Sequence, residues 1–245
     1  MRKLTLVHGD CCDVLGSIAD RSVDLVLCDP PYGTTQNKWD SQIPLDVMWS
    51  HIKRLLKPTG TVVLTAQGPF TARLLLSNEK WFKYKIVWEK SKPTNFLNVK
   101  RQPLRKHEDI LVFANGTGTY VPQMQPGKPY DKGVRKDQRT GSYGDFSPAH
   151  IRSEGGRYPT DIVYFKTAES EGPVVHPTQK PIALMEYLVS TYSFPGNTVL
   201  DFAMGSGSTG VACQRTGRSF IGIENNPTHF LTARQRLAET HGEAA

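Results

Sequence analysis

Two apolar runs, Val23-Asp24-Leu25-Val26-Leu27-Cys28 and Thr198-Val199-Leu200, each read as a buried parallel strand, and each ends in a turn of unusual composition. The first runs into Asp29-Pro30-Pro31-Tyr32, the second into Asp201-Phe202-Ala203-Met204-Gly205-Ser206-Gly207. In an open α/β sheet the residues just beyond the carboxyl ends of the strands line the ligand crevice. The chain is therefore expected to form an α/β sheet with both turns facing one site.

The first turn is rich in hydrogen-bond acceptors. Asp29 contributes a carboxylate and the Pro30 carbonyl a second acceptor, while proline has no N–H to compete. Pro30 and Pro31 each bias the preceding residue towards an extended shape. Two neighbouring acceptors suit a planar amino group whose hydrogens must be held, and Tyr32 offers a flat face for stacking a base. Taken alone, the tetrapeptide is also compatible with a rigid turn after a strand.

The second turn is ambiguous on its own. Gly205, Gly207 and Gly210 spell the dinucleotide-binding pattern, with Glu224 at the end of the predicted strand Ser219 to Ile223. NAD and S-adenosylmethionine make similar demands: an acid for ribose hydroxyls, glycines for close approach and helix-start N–H groups for an anion. Against an NAD-dependent oxidoreductase stands position, because only 35 of the 245 residues follow Gly210. Those are too few for the remaining strands unless the N-terminal half completes the sheet.

A chain of 245 residues with 38% hydrophobic content can bury one substantial core, better suited to one domain with an insertion than to two equal domains. No apolar run is long enough to span a bilayer, and Met1 to Val7 reads as a strand rather than a signal peptide, so a cytoplasmic protein is expected. Cys11, Cys12, Cys28 and Cys213 lack C-x-x-C spacing, which points to buried apolar roles and to no metal.

Charge is concentrated in one segment. Residues 80–145 hold 14 Lys+Arg against 6 Asp+Glu, or +8, while the remainder holds 16 against 17, or −1, which together give the net +7. The excess coincides with a change in organisation. Before it, Pro44 to Lys57 reads as a helix, and Thr61 to Thr65 and Lys85 to Trp88 as strands. From Ser91 to Pro159 periodicity fades except for a strand at Asp109 to Ala114. That stretch carries Lys92, Lys100, Arg101, Arg105, Lys132, Arg135, Lys136 and Arg139 among the aromatics Tyr120, Tyr130, Tyr143 and Phe146, a composition suited to nucleic acid. Order returns at Asp161 to Phe165. His176-Pro177-Thr178-Gln179-Lys180-Pro181 then leads into an amphipathic helix with Leu184, Met185, Leu188 and Val189, and the tail from Glu239 reads as frayed.

Taken in order, Asp-Pro-Pro-Tyr, the basic segment, His-Pro-Thr-Gln-Lys-Pro, Met-Gly-Ser-Gly and Gly222-Ile223-Glu224 resemble the β group of DNA amino-methyltransferases, the N6-adenine/N4-cytosine family. The likeness spans nearly the whole chain. It implies a Rossmann-like methyltransferase sheet with circularly permuted motif order, formed by residues 1–89 and 160–245, and an inserted target-recognition region at residues 90–159. By matching position, Asp29, Pro30, Pro31 and Tyr32 are the catalytic residues that hold a base flipped out of double-stranded DNA. Asp29 also falls within the S-adenosylmethionine site, with Asp201, Ala203, Gly205, Ser206, Gly207, Glu224 and Asn225. Asp10 and Cys11 match the segment at the cofactor adenine, and His176, Thr178 and Lys180 the segment near its methionine end. One departure bears on cofactor affinity: the family's Asp-Pro-Phe is here Asp201-Phe202-Ala203, without the second aromatic. Asp at the head of the first motif favours N6 of adenine over N4 of cytosine. RNA or protein glutamine as substrate, or a binding module without activity, fits the motifs less well. Monomer or homodimer, and membership of a restriction-modification system with a partner nuclease, are left open by the sequence.

Overall fold

Alternation within the central strands sets the layers. In the computed structural model, which describes residues 3–33, 42–134, 139–140, 144–145, 147–176 and 178–243, the chain divides into two compact units, Met1–Val121 with Asp161–Ala245, and Pro122–Thr160. In chain order the elements are β1 (Leu4–His8), α1 (Cys11–Val14), β2 (Val23–Cys28), α2 (Leu45–Leu55), β3 (Leu56–Ala66), α3 (Pro69–Ser77), β4 (Phe82–Thr94) and β5 (Arg105–Phe113). The smaller unit adds β6 (Gln125–Pro126), β7 (Tyr130–Val134), β8 (Arg139–Thr140), β9 (Gly144–Asp145), β10 (His150–Ser153) and β11 (Gly156–Arg157). The chain then returns through β12 (Ile162–Phe165), α4 (Ile182–Tyr192), β13 (Thr198–Asp201), α5 (Ser208–Thr216), β14 (Ser219–Glu224) and α6 (Pro227–Glu243).

The larger unit is an eight-stranded sheet in the order β1-β14-β13-β2-β3-β5-β4-β12. Its ladders are parallel except where β5 runs antiparallel to β3 and β4. Parallel strands need apolar cover on both faces. Leu25 and Leu27 of β2, Val63 of β3, and Ile110 and Val112 of β5 pack with α4, α5 and α6 residues such as Leu188, Val211 and Leu237. Their neighbours Val26, Cys28, Val62, Leu64, Leu111 and Phe113 pack on the other face with Trp49 and Ile52 of α2 and Phe70 of α3. In α2 the buried positions Met48, Trp49, Ile52 and Leu55 follow helical spacing, with Asp46 in the first turn and Lys53 and Arg54 in the last to suit the helix dipole. All four cysteines are free, Cys12 half-buried and the other three buried.

The smaller unit is built of short antiparallel pairs, β6 with β11, β7 with β10 across a bulge, and β8 with β9. The Arg157 guanidinium lies 4.5 Å from the Tyr130 ring centroid. The insert expected from residue 90 begins as a compact unit only at Pro122. The reason is that β4 and β5, after a break in register beyond Glu89, pair again at Thr94 and Arg105, through mostly polar residues that leave no apolar period. The C-terminus also differs from expectation. Helix α6 runs to Glu243, past the start of the expected frayed tail, with Thr240 Oγ1 donating to the Arg236 carbonyl at 2.9 Å. Among the described residues no helix is long and apolar enough to cross a membrane.

Candidate active site

Strands β2 and β13 lie side by side, with Val199 opposite Leu25 and Leu200 opposite Val26. The two special turns therefore leave the sheet at the same edge and open on one cavity of about 600 Å3. Its lining includes Asp10, Cys11, Asp29, Pro30, Pro31, Tyr32, His176, Thr178, Lys180, Asp201, Ala203, Gly205, Ser206, Glu224 and Asn225. Of the cofactor residues expected from the sequence, Gly207 is not among the lining. It caps α5 at φ +80, and a Cβ there would lie 3.2 Å from the Ala233 Cβ, so its smallness serves the packing of α5 on α6.

Asp29 is held from three directions. Its Oδ1 accepts the Tyr32 hydroxyl at 2.7 Å and the Thr65 hydroxyl from β3, and its Oδ2 takes the Lys180 ammonium at 2.5 Å. The Tyr32 ring stacks on Phe70 of α3, centroids 5.2 Å apart, so one ring face is already covered. Lys180 also stands 3.4 Å from Glu108 of β5, and Glu108 in turn pairs with Lys90 of β4. Asp29, Lys180, Glu108 and Lys90 thus form a chain of alternating charge, Lys90 buried and the other three partly buried. Burial alone would lower the Lys180 pKa, but Asp29 and Glu108 more than offset it and hold the ammonium above the usual lysine value. For Glu108 burial raises the pKa, and Lys180 and Lys90 pull it below the usual value. The Tyr32 phenol is pushed up by burial and by Asp29, so it stays protonated and donates.

The glycine turn is pinned by an acid. Glu224 Oε2 accepts the Gly205 N–H at 2.9 Å and Oε1 the Asn226 N–H at 2.8 Å, so the carboxylate at the end of β14 fixes the loop that borders the cavity. Burial pushes the Asp201 carboxyl up to about 6, against hydrogen bonds from Thr209, the Ala203 N–H and the Cys28 thiol. His176 is brought down to about 4, first by burial and then by His229, and its ring nitrogen lies 3.2 Å from that of His229. Burial pushes the Cys11 thiol up to about 12 and the Cys28 thiol well above its ordinary value. Phe202 is 1% exposed and packs in the core layer while still bordering the cavity, and Ala203 lines the wall beside it where the family pattern has an aromatic.

Of the basic residues expected to meet DNA, Arg105 lines the cavity and donates to Gln67 at 2.8 Å, while Lys92 is exposed near the end of β4, and Lys100 and Arg101 are exposed on the β4 to β5 connection. Lys132 lies on β7 with its ammonium 5.1 Å from the Tyr130 ring, and Arg139 lies on β8. Arg135, Lys136, Tyr143 and Phe146 lie outside the described residues. Sequence reasoning did not find Thr65, Lys90 or Glu108. A signal existed for the last two: Lys90 falls in phase with buried Ile86 and Trp88, and Glu108 in phase with Ile110 and Val112.

Comparison with known proteins identifies the family. The N6_N4_Mtase family model, described as DNA methylase, matches residues 23–235. The DNA adenine methyltransferase YhdJ of Escherichia coli K12 is 30% identical over 251 residues, covering 95% of this chain and 82% of YhdJ. The crystal structure of the M1.HpyAVI–SAM complex superposes with a TM-score of 0.68 at 26% identity, covering 96% of this chain and 98% of that one. The PvuII cytosine-N4-specific DNA methyltransferase shares the fold, with a TM-score of 0.69 at 15% identity over 98% of this chain and 93% of its own. These matches displace the dinucleotide-dependent oxidoreductase that the glycine pattern also allowed. The chain belongs to the N6_N4_Mtase family of DNA methylases.

Proposed function

We propose that the protein transfers the methyl group of S-adenosylmethionine to the exocyclic N6 of adenine in double-stranded DNA, acting on a base flipped out of the helix. S-adenosylmethionine is the cofactor, and the chemistry it supplies when bound is an electrophilic methyl on a sulfonium. The residues fit it. The cavity of about 600 Å3 lies in the range of small-molecule pockets, roughly 300–1,000 Å3. Gly205, at φ +52, lets the backbone border it closely. Glu224 spends one lone pair of each oxygen on the turn and keeps others for ribose hydroxyls. The motif order reads as a circular permutation, in which β13 from the late half of the chain is paired with β2 from the early half.

The observation that carries the reading is the setting of Asp29. An aromatic amine is a poor nucleophile because its lone pair is delocalised into the ring, so its hydrogens must be held by acceptors that draw the nitrogen towards tetrahedral geometry. Oδ1 already accepts two hydroxyls, whereas Oδ2 meets the single cation Lys180, which leaves Oδ2 and the Pro30 carbonyl to receive the amino hydrogens. In this reading Asp29 Oδ2 takes the proton shed by the methylated nitrogen. Tyr32, braced from behind by Phe70, offers its other face to the base. The basic segment, residues 80–145 as a whole, supplies the field that attracts the polyanion and the target-recognition contacts.

Adenine is preferred over cytosine on two grounds: the 30% identical relative is named an adenine methyltransferase, and Asp heads the first motif. Incubation with unmethylated genomic DNA, base-resolved mapping of the new methyl groups, and mass spectrometry of the digested nucleosides test this. N6-methyladenine is the expected product, and N4-methylcytosine alone would overturn the choice of base.

A further inference from the structure

The connection between β4 and β5 presents an unusual surface. Phe96, Leu97 and Val99 are 73%, 85% and 56% exposed, and Leu104 is exposed beside them. The segment is held together locally: Asn95 adopts the left-handed conformation at φ +71, residues 96–98 form a turn of 3-10 helix, Asn98 Nδ2 donates to Asn95 Oδ1 at 2.8 Å, and the Arg101 N–H donates to the Asn98 carbonyl at 2.8 Å. An ordered turn that holds its large apolar side chains outward forgoes their burial, which marks a contact surface. Its place is equally specific. Thr94 and Arg105, which pair at the base of the connection, both line the active-site cavity, so the apolar tip starts two residues from the cavity mouth.

Charge identifies the occupant. From Lys90 to His107 the chain carries Lys90, Lys92, Lys100, Arg101, Arg105 and Lys106 and not one Asp or Glu. A second copy of the chain would set this cationic surface against its own like charge. Duplex DNA offers phosphates to the lysines and arginines and a base stack to the apolar side chains, the pattern of proteins that insert apolar wedges between base steps.

We propose that the Phe96–Leu97 tip is a wedge that enters the DNA base stack next to the target and occupies the space the displaced base leaves, while Lys92, Lys100 and Arg101 hold the flanking phosphates. This rests on the reading that the target base is extrahelical. The wedge acts on the opening of the pair and not on the chemistry at Asp29. Its removal therefore matters most when the target is properly paired and least when a mismatch has already weakened the pair.

The test uses oligonucleotide duplexes carrying the mapped recognition site, with the target either paired or mismatched, and a fluorescent base analogue at the target position in a parallel set. The full-length Phe96→Ala/Leu97→Ala variant is compared with wild type in single-turnover methyl transfer and in fluorescence. Both side chains are mostly exposed, so the variant is expected to melt like wild type. On the paired duplex, transfer is expected to fall roughly tenfold or more, with a smaller fluorescence rise, and on the mismatched duplex less than about twofold. Phe96→Trp keeps the bulk and should restore transfer on the paired duplex. Lys100→Gln/Arg101→Gln should weaken binding to both duplexes alike and steepen neither difference. Equal losses on the two duplexes, or none on either, overturn the wedge while leaving the base-flipping reading intact. A wild-type enzyme that methylates the site without any fluorescence rise overturns the flipping reading, and the wedge with it.

Discussion

Replacing Lys180 with methionine separates two roles for the residue. The resemblance of its motif implies a role near the methionine end of the cofactor, whereas its ammonium contacts Asp29 at 2.5 Å and Glu108 at 3.4 Å. The side chains of Lys180, Asp29 and Glu108 are 10%, 25% and 12% exposed, so these charges are poorly screened. A unit-charge pair about 4 Å apart is worth roughly 4 kcal/mol at an effective dielectric of about 20, and removing one member of a buried pair costs about 3–5 kcal/mol. Lys180→Met leaves two carboxylates facing a neutral side chain, so a loss near 3 kcal/mol at pH 7.5 is expected, or about 6–12 °C in melting temperature for a chain of this size. The pH dependence has a definite sign. In the wild type Glu108 has a lowered pKa, so it contributes stability above its unfolded value that is lost as pH falls through its folded value. Deleting one of its two cations shrinks that contribution, and the gap between variant and wild type should narrow as pH is lowered towards 4. Urea unfolding at pH 7.5 and 4, S-adenosylmethionine titration and single-turnover transfer measure the three quantities. If Lys180 serves Asp29, the rate falls on the order of 100-fold, about 2.7 kcal/mol, while cofactor affinity changes less than about threefold. A variant with weakened cofactor binding, an unchanged rate of transfer when saturated, and pH-independent destabilisation would refute the charge-chain argument.

Three further outcomes follow from the same geometry. Asp29→Ala should abolish methyl transfer while S-adenosylmethionine still binds, as checked by calorimetric titration alongside an activity assay; near wild-type turnover would remove Asp29 from the mechanism. Asp201→Asn should raise stability at pH 7.5 by up to about 2–3 kcal/mol, because a carboxyl raised to about 6 by burial is destabilising once ionised and ceases to be so below its unfolded value, near pH 4; denaturant unfolding across pH 4–8 reads this, and a parallel offset at every pH counts against it. Neutralising Lys132, Arg135 and Lys136 together should flatten the salt dependence of DNA affinity by up to roughly 3 in log–log slope, and an unchanged slope in fluorescence anisotropy would mean that they face solvent in the complex.

What the sequence made legible was the part governed by local chemistry. Strands β2 and β13 were readable because their apolar runs stop abruptly at turn residues, and α4 because Leu184, Met185, Leu188 and Val189 fall on one face. The far reach of β4 and β5 was not, since residues from Lys92 to Lys106 are ordered by the single pair Thr94 and Arg105 and by a local 3-10 turn, and carry no apolar alternation. Site residues followed the same division. Asp29, Glu224 and the glycine turn announce themselves as motifs, but Thr65, Lys90 and Glu108 reach Asp29 only through the sheet order, which places β3, β5 and β4 in succession beyond β2. Gly207 shows the converse: a glycine in a cofactor motif that the fold spends on helix packing.

The charge chain is costly where an apolar core would be cheaper, so its position needs a reason. Lys90 and Glu108 belong to the two strands that also carry the exposed Phe96–Leu97 tip, with Trp88 paired to Glu108 and Thr94 to Arg105 in one ladder. The ladder breaks register between Glu89 and Thr94 and closes again at the pair Thr94 and Arg105, so the site where Lys180 is braced against Asp29 and the site proposed to meet the base stack are joined through one hairpin. The amino group must arrive at Asp29 Oδ2 within hydrogen-bond reach, and misplacement by about 1 Å can cost on the order of 100-fold in rate. The hairpin that braces Lys180 beside Asp29 also carries the proposed wedge, so both sites lie within the larger unit. Shortening the irregular segment between Lys90 and Thr94 by two residues draws the tip back relative to Asp29, and should depress transfer on paired DNA while sparing cofactor binding.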